Sequence, residues 1–540
     1  MKRSVILLLL LSLIHGNLTT ALENTTAVSV SDGVRINVSL WNNHENDVIK
    51  QRISLAPFTR LTITVTEVPS DIWFIVLQIH TFQYNATLSY DKALLDKVSD
   101  RSLFGSNIGL YVKTHDVTAP IQVFLEHNNV HNLDALLVIV TYGRNAPIPG
   151  GCNMEFDIEV SPYQKLHTEN GMIIVDTQPA SILAPNGSSV PCEKSSLQYK
   201  MYRLYLPRQD FTLDTYFNAI ASMLTAQDIA RNGDEIPAGS HTSNMRRIYS
   251  AFTGTGSVYA AVATYRNYSS AYIPIFTYAC NPLLYPESCQ VLNDVYAEVF
   301  CALVLMIGCL SVIIGHKYVC IDYFISSCIL EGILGYMLGT YLHLSTTISI
   351  VIGMTFVVSS TVFKTFFIPL WSVSLGFLCA CIVYLYAPAQ MFYMLENNWL
   401  FWPMFVTLIF LIIAFLATMS YVAELMARAI FGSYFIVVAV DYYAGSNLKY
   451  IIITIIRRVT IPGFELAFVY PPFQGADLTL VIIWAVLIIA RFIIQMCAYL
   501  REIKLNTERT PLLPDSDYSS QRRTRASGHY WRRHYYFYIR

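Results

Sequence analysis

The chain has 540 residues, of which 54% are hydrophobic and 14% charged, with a formal net charge of −1. It is too apolar for an ordinary soluble protein and too long for one compact domain. No basic stripe with interleaved aromatics precedes the tail, which argues against a nucleic-acid partner.

Residues 1–21 read as a signal peptide. Lys2-Arg3 is followed by an apolar run from Val5 to Ile14, then by small residues at Gly16 and at Thr19-Thr20-Ala21. That run is too short to span a bilayer, and cleavage is expected after Gly16 or Ala21. N-x-S/T sequons follow at Asn17, Asn24, Asn37, Asn85, Asn186 and Asn267, all before Asn293. Asn17 is lost if the signal is cleaved after Ala21, so glycosylation is expected at the other five. The asymmetry fits a lumenal or extracellular N-terminal half.

A first β-rich module is expected over residues 22–148. Short β-branched segments at Leu61–Val65, Ile72–Ile79, Ile121–Leu125 and Leu136–Tyr142 are separated by polar turns, the pattern of a β-sandwich. Pro147 to Gly151 breaks the pattern and marks a boundary. A second, α+β module occupies residues 149–293, with strands at Met172–Val175, Met201–Tyr205 and Val258–Thr264. One amphipathic helix is predicted from near Thr212, with Asp214 in its first turn, to about Ala230. Cys152, Cys192, Cys280 and Cys289 precede the membrane half and allow three pairings. Local closure favours Cys280–Cys289, which leaves Cys152–Cys192. His80, His115, His127 and His131 are scattered without ligand spacing, so no metal and no cofactor is expected.

Residues 294–500 carry seven apolar runs long enough to cross a bilayer. They are Ala297–Gly315, Tyr318–Leu338, Leu344–Phe363, Phe366–Pro388, Leu400–Ser420, Ala427–Tyr443 (the shortest) and Leu478–Leu500. Gly445 to Asp477 reads as a lumenal excursion that touches the bilayer or folds back into it. The fold expected is therefore a membrane protein, with lumenal or extracellular β-sandwich-like modules followed by a seven-helix α bundle. Residues 501–540 hold nine Lys/Arg against four Asp/Glu, which places a basic tail in the cytoplasm. Lys449 and Arg457-Arg458 fall on the wrong side for that rule.

Ionisable residues inside spans are functional candidates by default. Here they are Asp322, Glu331, Asp441 and Arg491. Asp322 and Asp441 lie near helix ends, within reach of water. Glu331 and Arg491 lie deeper, where a neutralising pair or an ion path are the alternatives. Gly332, Gly335 and Gly339 form a small-residue face suited to close helix packing. HExxH, GxSxG and a paired-aspartate setting are all missing, so no catalytic residue is expected. In the tail, Glu508 stands four residues before Leu512-Leu513, an acidic dileucine pattern that clathrin-adaptor-type sorting proteins read. The Arg- and Tyr-rich stretch from Arg522 to Arg540 suits either an anionic leaflet or a solvated, disordered tail. The partners expected are thus membrane lipid, a lumenal or extracellular protein and the sorting adaptors.

Several stretches together resemble the transmembrane seven superfamily member three family. They are Pro147-Ile-Pro-Gly-Gly-Cys152-Asn-Met-Glu-Phe-Asp157, Ala271-Tyr-Ile-Pro-Ile-Phe-Thr-Tyr-Ala-Cys280, Gly432-Ser-Tyr434 with Ala439-Val-Asp441-Tyr442, and Glu508-Arg-Thr-Pro-Leu-Leu513. The membrane half also resembles the domain shared with the transmembrane protein one-nine-eight group. The resemblance implies a non-enzymatic seven-span protein, and the tail leaves the plasma membrane and the endolysosomal membrane both open as its address. The resemblance further implies a link to survival under stress, to restraint of programmed cell death and to damping of the unfolded-protein response. Receptor and transporter functions are the alternatives. Glu331 and Arg491 are not part of the shared pattern, and the extension beyond Leu513 is unusual for it.

Overall fold

The computed structural model describes residues 27–508, except 32, 96–98, 116–119, 184–190, 193–195, 240–242, 244, 291–294, 315–318, 346, 350, 354, 356–369 and 419. The signal segment, Asn17, Asn24, Asn186, Leu512 and Leu513 lie outside the described residues.

The first domain is a sandwich of two five-stranded sheets. Its strands are β1 (Val28–Val30), β2 (Arg35–Ser39), β3 (Val48–Leu55), β4 (Arg60–Thr66), β5 (Phe74–Thr81), β6 (Ala86–Ser89), β7 (Ser102–Gly105), β8 (Asn107–Lys113), β9 (Ile121–Glu126) and β10 (Leu133–Tyr142). One sheet runs β1-β3-β10-β5-β8, the other β2-β4-β9-β6-β7. β2 alternates exposed and buried residues, as a strand with one wet face must. β5 is buried at every position and β10 at nearly every one, so both faces of the first sheet are covered. The second sheet covers one face, and a helix of the next domain covers the other.

The second domain contains β11 (Lys165–Glu169), β12 (Met172–Asp176), β13 (Gln198–Arg208), β14 (Asp234–Ile236), β15 (Arg246–Ser250), β16 (Thr255–Tyr265), β17 (Tyr268–Ala271) and β18 (Ile275–Thr277). A three-stranded sheet, β11-β12-β15, faces a sheet in the order β14-β13-β16-β17, with β18 also on β16. The predicted single helix is two: α1 (Leu213–Ala221) and α2 (Ala226–Asn232). The break buries Met223 and Leu224 completely. Thr225 then starts the second helix by accepting a hydrogen bond from the Asp228 backbone N–H at 3.1 Å. Disulfides join Cys152 to Cys192 and Cys280 to Cys289. Gly150 has φ +66°, and a Cβ there would lie 1.8 Å from the Ser161 carbonyl oxygen. The Pro-Ile-Pro-Gly-Gly turn therefore requires glycine at this position.

Helix α1 seats the second domain on the first. The Tyr216 hydroxyl donates to the Thr81 carbonyl at 3.0 Å, Lys50 Nζ donates to the Ala221 carbonyl at 3.0 Å, and Arg52 pairs with Asp214 at 2.7 Å. Gly109 of β8 leaves room for Ile273, whose Cδ1 would lie 2.4 Å from a Cβ at Gly109. The two sandwiches share one continuous apolar core.

The C-terminal region is helical: α3 (Val295–Ile314), α4 (Val319–Tyr341), α5 (Leu370–Leu385), α6 (Phe392–Glu396), α7 (Asn398–Thr418), α8 (Ser420–Ala444), α9 (Tyr450–Thr460) and α10 (Gly475–Glu508). Among the described residues, three segments have the length and composition to cross a membrane: Asn398–Thr418, Leu425–Ala444 and Gly475–Leu505. A fourth follows if α5 and the segment Ala389–Glu396, which meet at 100°, count as one. The predicted span Phe366–Pro388 thus ends at Leu385, and the chain turns sharply across Pro388 instead of running on through it. The run expected to be shortest lies in a helix of 25 residues. Gly335 and Gly339 of α4 do allow close packing. A Cβ at Gly335 would lie 2.3 Å from Gly353 Cα, and one at Gly339 would lie 2.4 Å from Ser349 Oγ.

Candidate functional site: a polar seam between the second β-domain and the helices

The excursion between α8 and α10 is a platform on which the second domain sits. Helix α9 is strongly one-sided. Tyr450, Ile451, Thr454, Ile455 and Arg458 are buried, and the helix packs on α4 and α5. Neither a span nor a loose loop, it lies between the bundle and the sandwich. Beyond it, Phe468 adds a short rung to β15. The Phe468 N–H donates to the Ile248 carbonyl at 2.9 Å, and the Ser250 N–H donates to the Phe468 carbonyl at 3.0 Å. Backbone pairing across a domain boundary fixes register as well as contact.

Side chains complete the seam. Arg208, at the end of β13, donates to the Ser446 carbonyl at 2.7 Å and to Asn447 Oδ1 at 2.8 Å. Gln474 Nε2 donates to the Leu206 carbonyl at 2.8 Å, and its Oε1 accepts from the Arg208 N–H at 2.9 Å. Arg203 is wholly buried, donates to the Tyr470 carbonyl at 3.1 Å and lies 4.2 Å from the Tyr205 ring. Asp477, in the first turn of α10, accepts from the backbone N–H groups of Asn447 at 2.6 Å and Gln474 at 2.9 Å. A carboxylate there also complements the positive end of the helix dipole.

Asp441 does not reach water as its place near a helix end suggested. It is fully buried, accepts from the Lys449 backbone N–H at 2.7 Å, and lies 3.6 Å from Lys449 Nζ. Burial pulls the Lys449 amine down to about 8, against the opposing pull of Asp441. Asp441 and Asp477 face Lys449 and Arg208, so buried charges of opposite sign meet in the seam, the condition under which buried charge is tolerated.

The cations that broke the positive-inside pattern are therefore structural. Lys449 pairs with Asp441. Arg457 donates to the Ala251 carbonyl of the β-domain at 2.8 Å. Arg458 donates to the Tyr384 hydroxyl at 3.2 Å, to the Leu395 carbonyl at 2.7 Å and to Asn398 Oδ1 at 2.7 Å, with its guanidinium 3.8 Å from the centre of the Phe401 ring. None is a free loop charge of the kind that sets orientation.

Residues 42–142 match the TM7SF3-like N-terminal immunoglobulin-like domain, and residues 147–283 match the second one. Residues 301–496 match the TM7S3/TM198-like domain. Transmembrane 7 superfamily member 3 of Homo sapiens is 24% identical over 455 residues, 80% of this chain and 78% of that one. The Mus musculus protein of the same name is 25% identical over 450 residues, covering 79% of each chain. The chain belongs to the TM7SF3-like family. It is accordingly a membrane protein, with two immunoglobulin-like β-sandwiches ahead of a helical region that contains candidate spans. Among solved structures, the Endo-D glycoside hydrolase domain from Streptococcus pneumoniae R6 gives a TM-score of 0.12. It is 11% identical, over 44% of this chain and 36% of that one, and this likeness bears on neither fold nor activity.

The structure distributes the residues singled out from sequence rather than gathering them. Asn37, Asn85 and Asn267 are exposed on the two sandwiches. Asp322 falls within α4, and Glu331 is half-buried on the same helix. Arg491 is fully buried on α10 against α8, where a Cβ at Gly432 would lie 2.0 Å from its Nη1. That contact gives a physical reason for glycine at position 432 of this chain. Ser433 and Tyr434 add to it: Ser433 Oγ accepts from Trp484 Nε1 at 3.0 Å, and the Tyr434 hydroxyl donates to the Leu448 carbonyl at 3.0 Å. Glu508 closes α10. Among the described residues, no group of three His, Cys, Asp or Glu could hold a metal ion. The four histidines have local roles. His80 lies between Gln78 and Asn107, His115 stacks on Trp73, His127 bonds the Ala56 carbonyl, and His131 meets Tyr84. Sequence reasoning missed Arg208, Asn447, Gln474 and Asp477. The signal that could have found them was the misplaced Lys449 and Arg457-Arg458.

Proposed function

We propose that the chain is a non-enzymatic, seven-span membrane regulator whose lumenal sandwiches bind a protein partner and act through a rigid connection to the bundle. The observation that carries this is the seam. Backbone and side-chain bonds from Arg203, Leu206 and Arg208 of β13 and from Ile248 and Ser250 of β15 tie both strands to residues 446–477. A freely tethered ectodomain needs none of these. In this reading the protein resides in the plasma or endolysosomal membrane, is glycosylated at its exposed sequons, and restrains stress-induced death and the unfolded-protein response, as the family resemblance implies.

Seven crossings with a cytoplasmic tail fit the helix ends that the seam collects. The Tyr443 hydroxyl near the end of α8 donates to the Glu298 carbonyl at the start of α3 at 2.9 Å. Arg458 joins the end of α5 to the start of α7, and Asp477 begins α10. These ends lie on the side of the β-domains, as alternating crossings from a lumenal N-terminus require.

The test is rescue. Cells lacking the protein are challenged with an inhibitor of lumenal folding, then supplied with the wild type or with Arg208→Ala. Wild type is expected to restore survival and quieten an unfolded-protein reporter, and the variant to do neither at equal expression. Equal reporter activity with and without wild type would sink the regulator reading. A receptor reading rests on the same seam, which would pass a ligand-induced shift of the sandwich to α8 and α10. Ligand-dependent recruitment of a cytoplasmic protein, abolished by Arg208→Ala, would favour it instead.

A further inference from the structure

The Cys280–Cys289 disulfide closes a loop at the exit of the second domain, and α3 begins at Val295. The loop presents Leu283, Leu284 and Tyr285 to solvent at 42%, 67% and 68% exposure. Other large apolar side chains exposed on the described β-domains, such as Trp41, Phe58, Phe104 and Val130, stand singly along the chain, whereas these three are consecutive and form a patch.

Its backbone is prepared for an apolar surrounding. Asn281 Oδ1 accepts from the Leu283 N–H at 3.2 Å and from the Leu284 N–H at 3.0 Å. The Tyr285 N–H donates to the Asn281 carbonyl at 3.0 Å, and the Ser288 N–H donates to the Tyr285 carbonyl at 2.9 Å. Pro282 and Pro286 carry no N–H. Ser288 Oγ donates to the Tyr285 carbonyl at 2.6 Å and accepts from the Asn281 N–H at 3.0 Å. The loop thus satisfies most of its own backbone donors while turning its apolar side chains outward, the arrangement that entry into lipid demands.

Its position agrees. Cys289 and Gln290 line a cleft with Tyr442, Tyr443 and Gly445, at the end of α8. Tyr443 is half-exposed there, and Tyr393 and Trp399 are exposed at the neighbouring ends of α6 and α7. Exposed aromatics at helix ends mark the headgroup layer.

We propose that the Cys280–Cys289 loop is a lipid-binding finger, with Leu283, Leu284 and Tyr285 inserted into the interfacial layer of the lumenal leaflet beside α3. The inference rests on the reading of α3 and its neighbours as membrane spans. The finger and the seam then hold the second sandwich to the membrane at two separate points.

A photoactivatable benzophenone amino acid at position 284 of the full chain, reconstituted in phosphatidylcholine vesicles, tests this by mass spectrometry of lipid adducts. The same probe at Phe410, 62% exposed in the middle of α7, reports bilayer contact, and at Trp41, 74% exposed on the first domain, reports water. Position 284 is expected to form lipid adducts at a level near that of Phe410 and on the order of tenfold above Trp41. If Phe410 labels lipid and 284 labels no more than Trp41, or labels only protein, the finger is overturned while the membrane reading stands. If Phe410 also fails, the membrane reading falls and takes the finger with it.

Discussion

Asp477 is the anion that organises the platform, and its removal gives the sharpest test of the seam's energetics. Its two carboxylate oxygens accept from the Asn447 N–H at 2.6 Å, the Gln474 N–H at 2.9 Å and Asn447 Nδ2 at 3.3 Å, with the residue 1% exposed. A hydrogen bond to a charged group contributes about 1.5–3 kcal/mol. The three are not independent, because all share one carboxylate. Removing one partner from a buried charged cluster costs about 3–5 kcal/mol. Asp477→Ala also leaves Arg208 and Lys449 facing a single carboxylate, Asp441. We expect the opening equilibrium of the platform to shift by about that amount, a factor of about 150 to 5,000. Hydrogen exchange of the Asn447 and Gln474 amides in lipid nanodiscs reads this directly, since amides released by local opening exchange in proportion to it. Asp477→Asn, which keeps one acceptor oxygen, should fall between wild type and Asp477→Ala. Unchanged protection at both amides in Asp477→Ala would refute the claim that this carboxylate holds the seam together.

Three further outcomes follow from particular contacts. Gly432→Ala forces a methyl group to within 2.0 Å of Arg491 Nη1 and is expected to destabilise the bundle by about 1–3 kcal/mol, seen as a lower midpoint of thermal inactivation in nanodiscs. An unchanged midpoint would mean that α8 and α10 are not packed through that glycine. Burial holds His80 at about 4, below its usual 6.5, so the unfolded first domain binds an extra proton between those values. The domain should be fully stabilised above pH 6.5 and lose on the order of 3 kcal/mol as the pH falls to 4, and His80→Gln should flatten that slope. Leu512→Ala/Leu513→Ala should move tagged protein from endolysosomes to the cell surface. An unchanged distribution would show that the dileucine is not read.

The sandwiches were largely legible in the sequence. Arg60–Thr66, Ile121–Glu126 and Thr255–Tyr265 contain the β-branched runs that strand formation favours, and local spacing picked out Cys280–Cys289. The break between α1 and α2 was hidden, because Met223 and Leu224 continue the apolar period of a helix and only the shared core decides where they turn. The seam was hidden for a different reason. Its bonds join residues more than two hundred positions apart, such as Arg208 with Ser446, and no window along the chain couples them. Hydropathy makes Tyr450 to Ile456 an apolar run too short to span, but helix α9 is amphipathic because it has two different neighbours, the bundle and the β-domain. Asp441 misled for the same reason. Nearness to a helix end suggests access to water, and in this fold the helix end is capped by a domain.

The account's central claim is that the second sandwich is locked onto the platform. Tyr249 and Phe468 pair as neighbouring parallel rungs across the boundary. The double variant Tyr249→Cys/Phe468→Cys, oxidised in intact membranes and digested without reduction, should yield the peptide carrying position 249 joined to the peptide carrying position 468. Each single variant should yield no such species. Full oxidation of the native disulfides with positions 249 and 468 left unjoined would contradict the lock and leave the sandwiches as a tethered ectodomain.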